Sequence, residues 1–103
     1  METSRKLGDE FVEKLGIKNC YYQPPSSEKL VYPCIVYRFD RMDKLKADNR
    51  NYIKVPRYNV LYIHKDPGIE MVDKILESFD RCSHDRRYTS NNLYHDSFSL
   101  YYK

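Results

Sequence analysis

Tryptophan is absent from this 103-residue sequence, and glycine occurs only three times, as Gly8, Gly16 and Gly68. Glycines so widely scattered cannot build a phosphate-cradling loop, which excludes nucleotide-binding classes that depend on one. Cysteine is sparse and odd in number: Cys20, Cys34 and Cys82 cannot all pair within one chain. Together with an N-terminal METSRKLGDEF that lacks the apolar core of a secretory signal, this fits free thiols in a reducing cytoplasm. No apolar run approaches the ~20 residues needed to cross a bilayer as a helix. Repeats, low-complexity tracts and linkers are missing too, so the chain reads as a single domain spanning 1–103.

What the chain has in excess is tyrosine, at eleven residues. Tyrosine combines a ring that packs with a hydroxyl that needs a partner, so it suits both half-buried strands and protein interfaces. Charge is balanced, with 18 basic and 15 acidic residues interspersed for a net +3, a statement about solubility more than nucleic-acid binding.

The periodicity predicts an α+β domain. Leu7, Phe11 and Leu15 recur every fourth residue, with Val12 beside them, giving an amphipathic helix that Gly16 stops. Asn19–Tyr22 reads as a short strand, and Gln23–Ser27 as a loop. Val31–Phe39 is apolar on both alternating sets, with pairing expected to begin after Pro33. Asp40–Asn51 reads as an exposed, charged hairpin loop, and Tyr52–His64 as a second long strand with an edge or bulge expected at Pro56. Within it Tyr58, Val60, Tyr62 and His64 share one face, and Leu61 and Ile63 the other. Asp66 is the expected N-cap of a helix that begins at Pro67 and carries Val72, Ile75, Leu76 and Phe79 in a stripe. Cys82–Tyr88, a turn at Thr89–Asn92 and a last strand Leu93–Tyr102 complete the order α-β-β-β-α-β-β, an antiparallel sheet of four to five strands flanked by two helices.

Candidate chemistry does not converge. His84-Asp85 and His95-Asp96 repeat a His-Asp pair, but neighbours on a strand point to opposite faces. Cys82-x-His84 with His95 supplies three zinc-capable side chains without paired ligand spacing. Cys34 lies in an apolar strand, where desolvation keeps a thiol inert. No catalytic residue, metal or cofactor is therefore expected. In the 40–51 hairpin Arg41, Lys44, Lys46 and Arg50 offer positive charge, diluted by Asp40, Asp43 and Asp48.

Several segments, in order, resemble phage tail-terminator proteins, the tail-completion or head–tail joining family of long-tailed phages. They are Tyr32–Tyr37, Ala47-Asp48-Asn49 with Tyr52, and Tyr58-Asn59-Val60; then His64–Pro67, Cys82–Tyr88 and Asn91–Phe98. The resemblance runs from Gly16 to Tyr102. It implies a structural virion protein whose copies, six in that family, form a ring that caps the tail tube and meets the neck or head-completion protein. DNA would pass through the lumen without sequence-specific binding, and no membrane is involved. Assembly would take place in the host bacterial cytoplasm. On this reading Arg41, Lys44, Lys46 and Arg50 face the lumen or tail tube, and Tyr37, Tyr52, Tyr58 and Tyr62 are candidates for the subunit interface. The alternatives are another head–neck connector, or a small nucleic-acid-binding module that uses the basic hairpin.

Overall fold

A computed structural model describes residues 2–25, 27, 29–46 and 52–102. Helix α1 (Glu2–Leu15) is followed by strands β1 (Cys20–Tyr22), β2 (Cys34–Lys46) and β3 (Tyr52–His64). Helix α2 (Glu70–Ser78), β4 (Cys82–Ser90) and β5 (Leu93–Tyr101) complete the chain, an α+β order that matches the sequence pattern. The sheet runs β1-β2-β3-β5-β4 and is mixed, because β1 joins β2 in parallel while every other pair is antiparallel. The parallel step departs from the all-antiparallel expectation. The 23–33 connection returns the chain to the start of β2, so β1 and β2 run the same way.

Both helices lie on one face of the sheet. Leu7, Phe11 and Leu15 of α1 and Ile75 of α2 bury against Ile35, Tyr37, Tyr58, Val60, Tyr62, Phe98 and Leu100. Phe11 sits edge-on to Tyr37 at 5.2 Å and to Phe79 at 5.5 Å, so one ring joins both helices to the sheet. Gly16 ends α1 at φ +72, its N–H returning to the Val12 carbonyl at 3.0 Å, the left-handed stop the sequence predicts. On the other face a smaller cluster of Cys34, Ile63 and Leu93 is covered at one end by Tyr21 and Leu30.

Three local expectations are corrected or refined. Asp66 does not cap α2: its Oδ1 accepts the Gly68 N–H at 2.9 Å in a tight turn, and the helix starts at Glu70 after Ile69, without a side-chain cap. The cause lies across the fold, where Arg87 holds the Pro67 and Gly68 carbonyls at 2.7 and 2.8 Å and keeps them out of a helix. Of the edge or bulge expected at Pro56, the structure has the edge: Pro56 pairs in register with Met42 just past the last β5 partner at Arg57, and the β2–β3 bulge falls instead between Phe39 and Arg41. Finally, β4 continues to Ser90, and the turn is the two residues Asn91 and Asn92, at φ 53 and 63. Positive φ at both central positions is the tight hairpin geometry that asparagine tolerates.

In the charged 40–51 segment residues 41–46 form ladder rather than loop, while 47–51 lie outside the described residues. Pairing runs from Arg41↔Arg57 out to Lys46↔Tyr52, past the end of β5 at Tyr101, which pairs Arg57. The hairpin thus leaves the sheet as a two-stranded arm about 17 Å long. It contributes to a molecule measuring 49 × 28 × 24 Å. A two-stranded ribbon is marginal by itself. Its base is tied by Tyr101 Oη donating to Asp43 at 2.7 Å, by Arg57 donating to Asp40 at 3.1 Å, and by the Tyr102 N–H donating to the Pro56 carbonyl at 3.2 Å.

At Gly8 the backbone of α1 lies against the Tyr37 side chain of the sheet. A Cβ there would stand 2.5 Å from the Tyr37 hydroxyl oxygen but 3.5 Å from its Cζ, an ordinary contact. Gly8→Ala is therefore expected to lower stability by about 1 kcal/mol, the clash outweighing the gain in helix propensity. In a Tyr37→Phe background the same substitution should be neutral or stabilising. A double-mutant cycle by urea unfolding measures that coupling.

Candidate functional site

The sheet carries one buried carboxylate on its helix face, Asp96 of β5, fully shielded from solvent. Four hydrogen bonds from three side chains converge on it. His64 of β3 donates from Nε2 to Oδ2 at 2.6 Å, and His84 of β4 donates from Nε2 to Oδ1 at 3.0 Å. Arg87, paired with Asp96 in the β4–β5 register, clasps both oxygens, with Nε to Oδ1 at 2.9 Å and Nη2 to Oδ2 at 3.0 Å. A carboxylate only accepts, so both imidazoles carry a proton on Nε2. The His64 ring is stacked on Tyr62 at 4.2 Å and faces Tyr94 at 5.8 Å. Its Nδ1 is buried without a hydrogen-bond partner among the described residues, as the lone-pair nitrogen of a neutral ring would be.

Burial alone would raise the Asp96 carboxyl, but the hydrogen bonds from Arg87, His64 and His84 outweigh it and hold it down at about 2. Beside the cluster, α2 and β4 border a cavity of about 370 Å³ lined by Ile69, Val72, Leu76, His84, Arg87 and Asp96. The carboxylate is saturated, with two hydrogen bonds to each oxygen, and Arg87 gives two further N–H groups to the Pro67 and Gly68 carbonyls. Among the described residues no hydroxyl or thiol is hydrogen-bonded to either imidazole. The arrangement clamps β3, β4, β5 and the turn before α2 together.

The sequence-predicted sites are distributed differently. Neither adjacent His-Asp pair works as a unit: His95 Nδ1 meets the Leu93 carbonyl, and Asp85 accepts from the Ser99 hydroxyl, both away from Asp96. His84 and Asp96, one from each pair, are nevertheless joined across the hairpin, and His64 and Arg87 complete the cluster. The signal that would have found it is the turn. Closing the hairpin at Ser90 and Leu93 sets Arg87 opposite Asp96, whereas a four-residue turn at 89–92 would set Asp85 there. No group of three or more histidine, cysteine or acidic side chains among the described residues is arranged to hold a metal ion. Burial pushes the Cys20, Cys34 and Cys82 thiols up to about 11, with the neighbouring Cys20 adding to the effect at Cys34 and Asp85 to that at Cys82.

Of the tyrosines expected at a subunit interface, Tyr37, Tyr58 and Tyr62 are instead buried in the core, because their strand positions face the helices. Tyr52, on the arm, is 65% exposed and remains available. Arg41, Lys44 and Lys46 are exposed on the arm, with Arg41 bound to Asp43 at 3.0 Å; Arg50 lies outside the described residues. Comparison with protein-family models, curated proteins and solved structures finds no match for this chain.

Two outcomes follow from this geometry. The folded pKa of Asp96 is below its ordinary 3.8, so its contribution is complete above that pH and is lost as pH falls toward about 2. Acid unfolding should therefore cost the wild type about 2 kcal/mol across that window. Asp96→Asn should flatten this part of the profile and lower stability at neutral pH by about 3 kcal/mol, since Arg87 loses its partner. Native thiols should react with a maleimide at pH 7 more than about tenfold slower than in the urea-unfolded chain.

Proposed function

We propose that this chain is a structural subunit that assembles with copies of itself through its sheet edges. The observation that carries the reading is the pair of unlike open edges. At one side β4 pairs with β5 and with no other strand among the described residues, and seven of its nine residues are exposed. At the other, β1 covers only Ile35–Tyr37 of β2, leaving the arm strand beyond it without a neighbour among the described residues. A long uncovered edge invites another strand. Two different edges joining head to tail generate a ring when the rotation closes.

Within that class, the resemblance of the sequence to phage tail-terminator proteins supports a particular reading: a ring of six copies at the end of a tail tube, joining it to the neck of the head. Tyr52 and the exposed cations Lys44 and Lys46 place the arm's contact groups at its far end, suited to a lumen or tube surface. The hairpin is less suited to gripping nucleic acid by charge alone, because Arg41 and Arg57 are neutralised by Asp43 and Asp40.

Light scattering and negative-stain microscopy, with and without purified tail tubes, test the proposal. The expected outcome is a ring, free or formed on tube ends; a strict monomer that never decorates them would sink it. Ser83→Lys with Thr89→Lys, placing charge along β4, should weaken assembly at least about tenfold while leaving the melting temperature within a few degrees.

A further inference from the structure

The face of the sheet away from the helices carries a polar groove that the assembly reading does not use. The strand register lays out its rows. Val36, Leu61, Ser97 and Arg86 lie side by side across β2, β3, β5 and β4. Arg38 and Asn59 flank that row on one side, and His95 and Tyr88 on the other. The depression between them has a volume of about 340 Å³ and is lined by Val36, Arg38, Asn59, Leu61, Tyr88 and Ser97. Its floor is apolar and its walls carry an amide, a hydroxyl and an aromatic ring.

Charge at this groove is positive and unspent. Arg38 is exposed and makes no ion pair among the described residues, while Arg86 lies over the Tyr88 ring at 4.9 Å. Asp85, next to Arg86 in sequence, accepts a hydrogen bond from Ser99, and Asp40 and Asp43, toward the arm, are paired with Arg57 and Arg41. Tyr88 is held upright by stacking on His95 at 4.9 Å and 14°, so its ring is a fixed wall. Three inter-strand spacings separate β2 from β4 and Arg38 stands two residues along from the Arg86 row, putting the two guanidinium stems about 16 Å apart.

We infer that this helix-free face binds a short stretch of single-stranded nucleic acid, with Arg38 and Arg86 on phosphates and a base seated in the groove against Tyr88, Val36 and Leu61. The Asn59 amide and Ser97 hydroxyl stand where they can meet base edges. Guanidinium groups spaced along an aromatic, sequence-tolerant platform are the chemistry single strands require. An acidic polypeptide would use the same cations but would leave the flat aromatic wall and apolar floor without a counterpart. A duplex cannot place an unstacked base in a groove of this size.

Fluorescence anisotropy with labelled oligo-dT and oligo-rU of about 12 nucleotides tests the inference, with the full chain as it purifies. Binding at low salt is expected, with log K falling against log salt at a slope near −1.4 for two phosphate contacts. Arg38→Ala or Arg86→Ala should bring the slope to about −0.7, while Arg38→Lys preserves it. Tyr88→Ala should weaken binding about tenfold at unchanged slope. All three positions are exposed, so circular dichroism should be unaltered. The inference is overturned by any of four results: absent binding at low salt; binding insensitive to these variants but lost in Lys44→Ala/Lys46→Ala; equal affinity for duplex; or displacement by polyglutamate as effective as by oligonucleotide. Particle size measured on the same preparation, with and without tail tubes, separates the two readings: a ring without binding removes this inference alone, and binding by a monomer that never decorates tube ends removes only the ring.

Discussion

A carboxylate sealed from solvent is costly unless every lone pair is met, and Asp96 satisfies that condition only with help from distant parts of the chain. His64 comes from β3, His84 and Arg87 from β4, and Arg87 reaches on to Pro67 and Gly68 before α2. One acceptor thus specifies which strands are neighbours, how β4 registers on β5, and where α2 can begin. Such a cluster is modest as a source of net stability, since desolvation offsets much of the attraction. Its stronger effect is on uniqueness, because an alternative register leaves a charge buried without partners.

Around that clamp the two faces of the sheet have separate roles. The helix face is filled by α1, α2 and the rings of Phe11, Tyr37, Tyr58, Phe79 and Phe98, and it supplies most of the burial that holds the domain together. The opposite face has only the small Cys34–Ile63–Leu93 cluster at one end. The remainder is the Val36–Leu61 floor of the groove with amide, hydroxyl and guanidinium groups and a stacked Tyr–His pair around it. With both helices committed to one side, the other face and the strand edges are what the protein has left for partners. An assembly contact through edges and a ligand on the face can coexist, since edge pairing uses backbone groups and leaves side chains standing off the sheet.

Much of this was legible from residue patterns. The four-residue spacing of Leu7, Phe11 and Leu15, the stop at Gly16, the start of β2 after Pro33 and the alternating faces of β3 all follow from local rules. Local rules failed where a distant group intervened. Asp66-Pro67 has the chemistry of a helix start, yet Arg87, twenty residues on, claims the carbonyls that a first turn would need free. Tyrosine content spoke for strands and interfaces alike. Only the helices' choice of face assigned Tyr37, Tyr58 and Tyr62 to the core and left Tyr52 outside.

The Asp96 cluster marks the division most clearly. The sequence by itself determined the element order, the faces of each strand and the presence of two His-Asp neighbours, because these depend on periods of two and 3.6 residues within one element. The meeting of His64, His84, Arg87 and Asp96 was decided by tertiary structure alone. It depends on a two-residue turn that sets one register and on a sheet order that brings β3 beside β5. The adjacent His-Asp pairs are split because neighbours on a strand face opposite ways, and the same alternation lets one member of each pair meet across the hairpin.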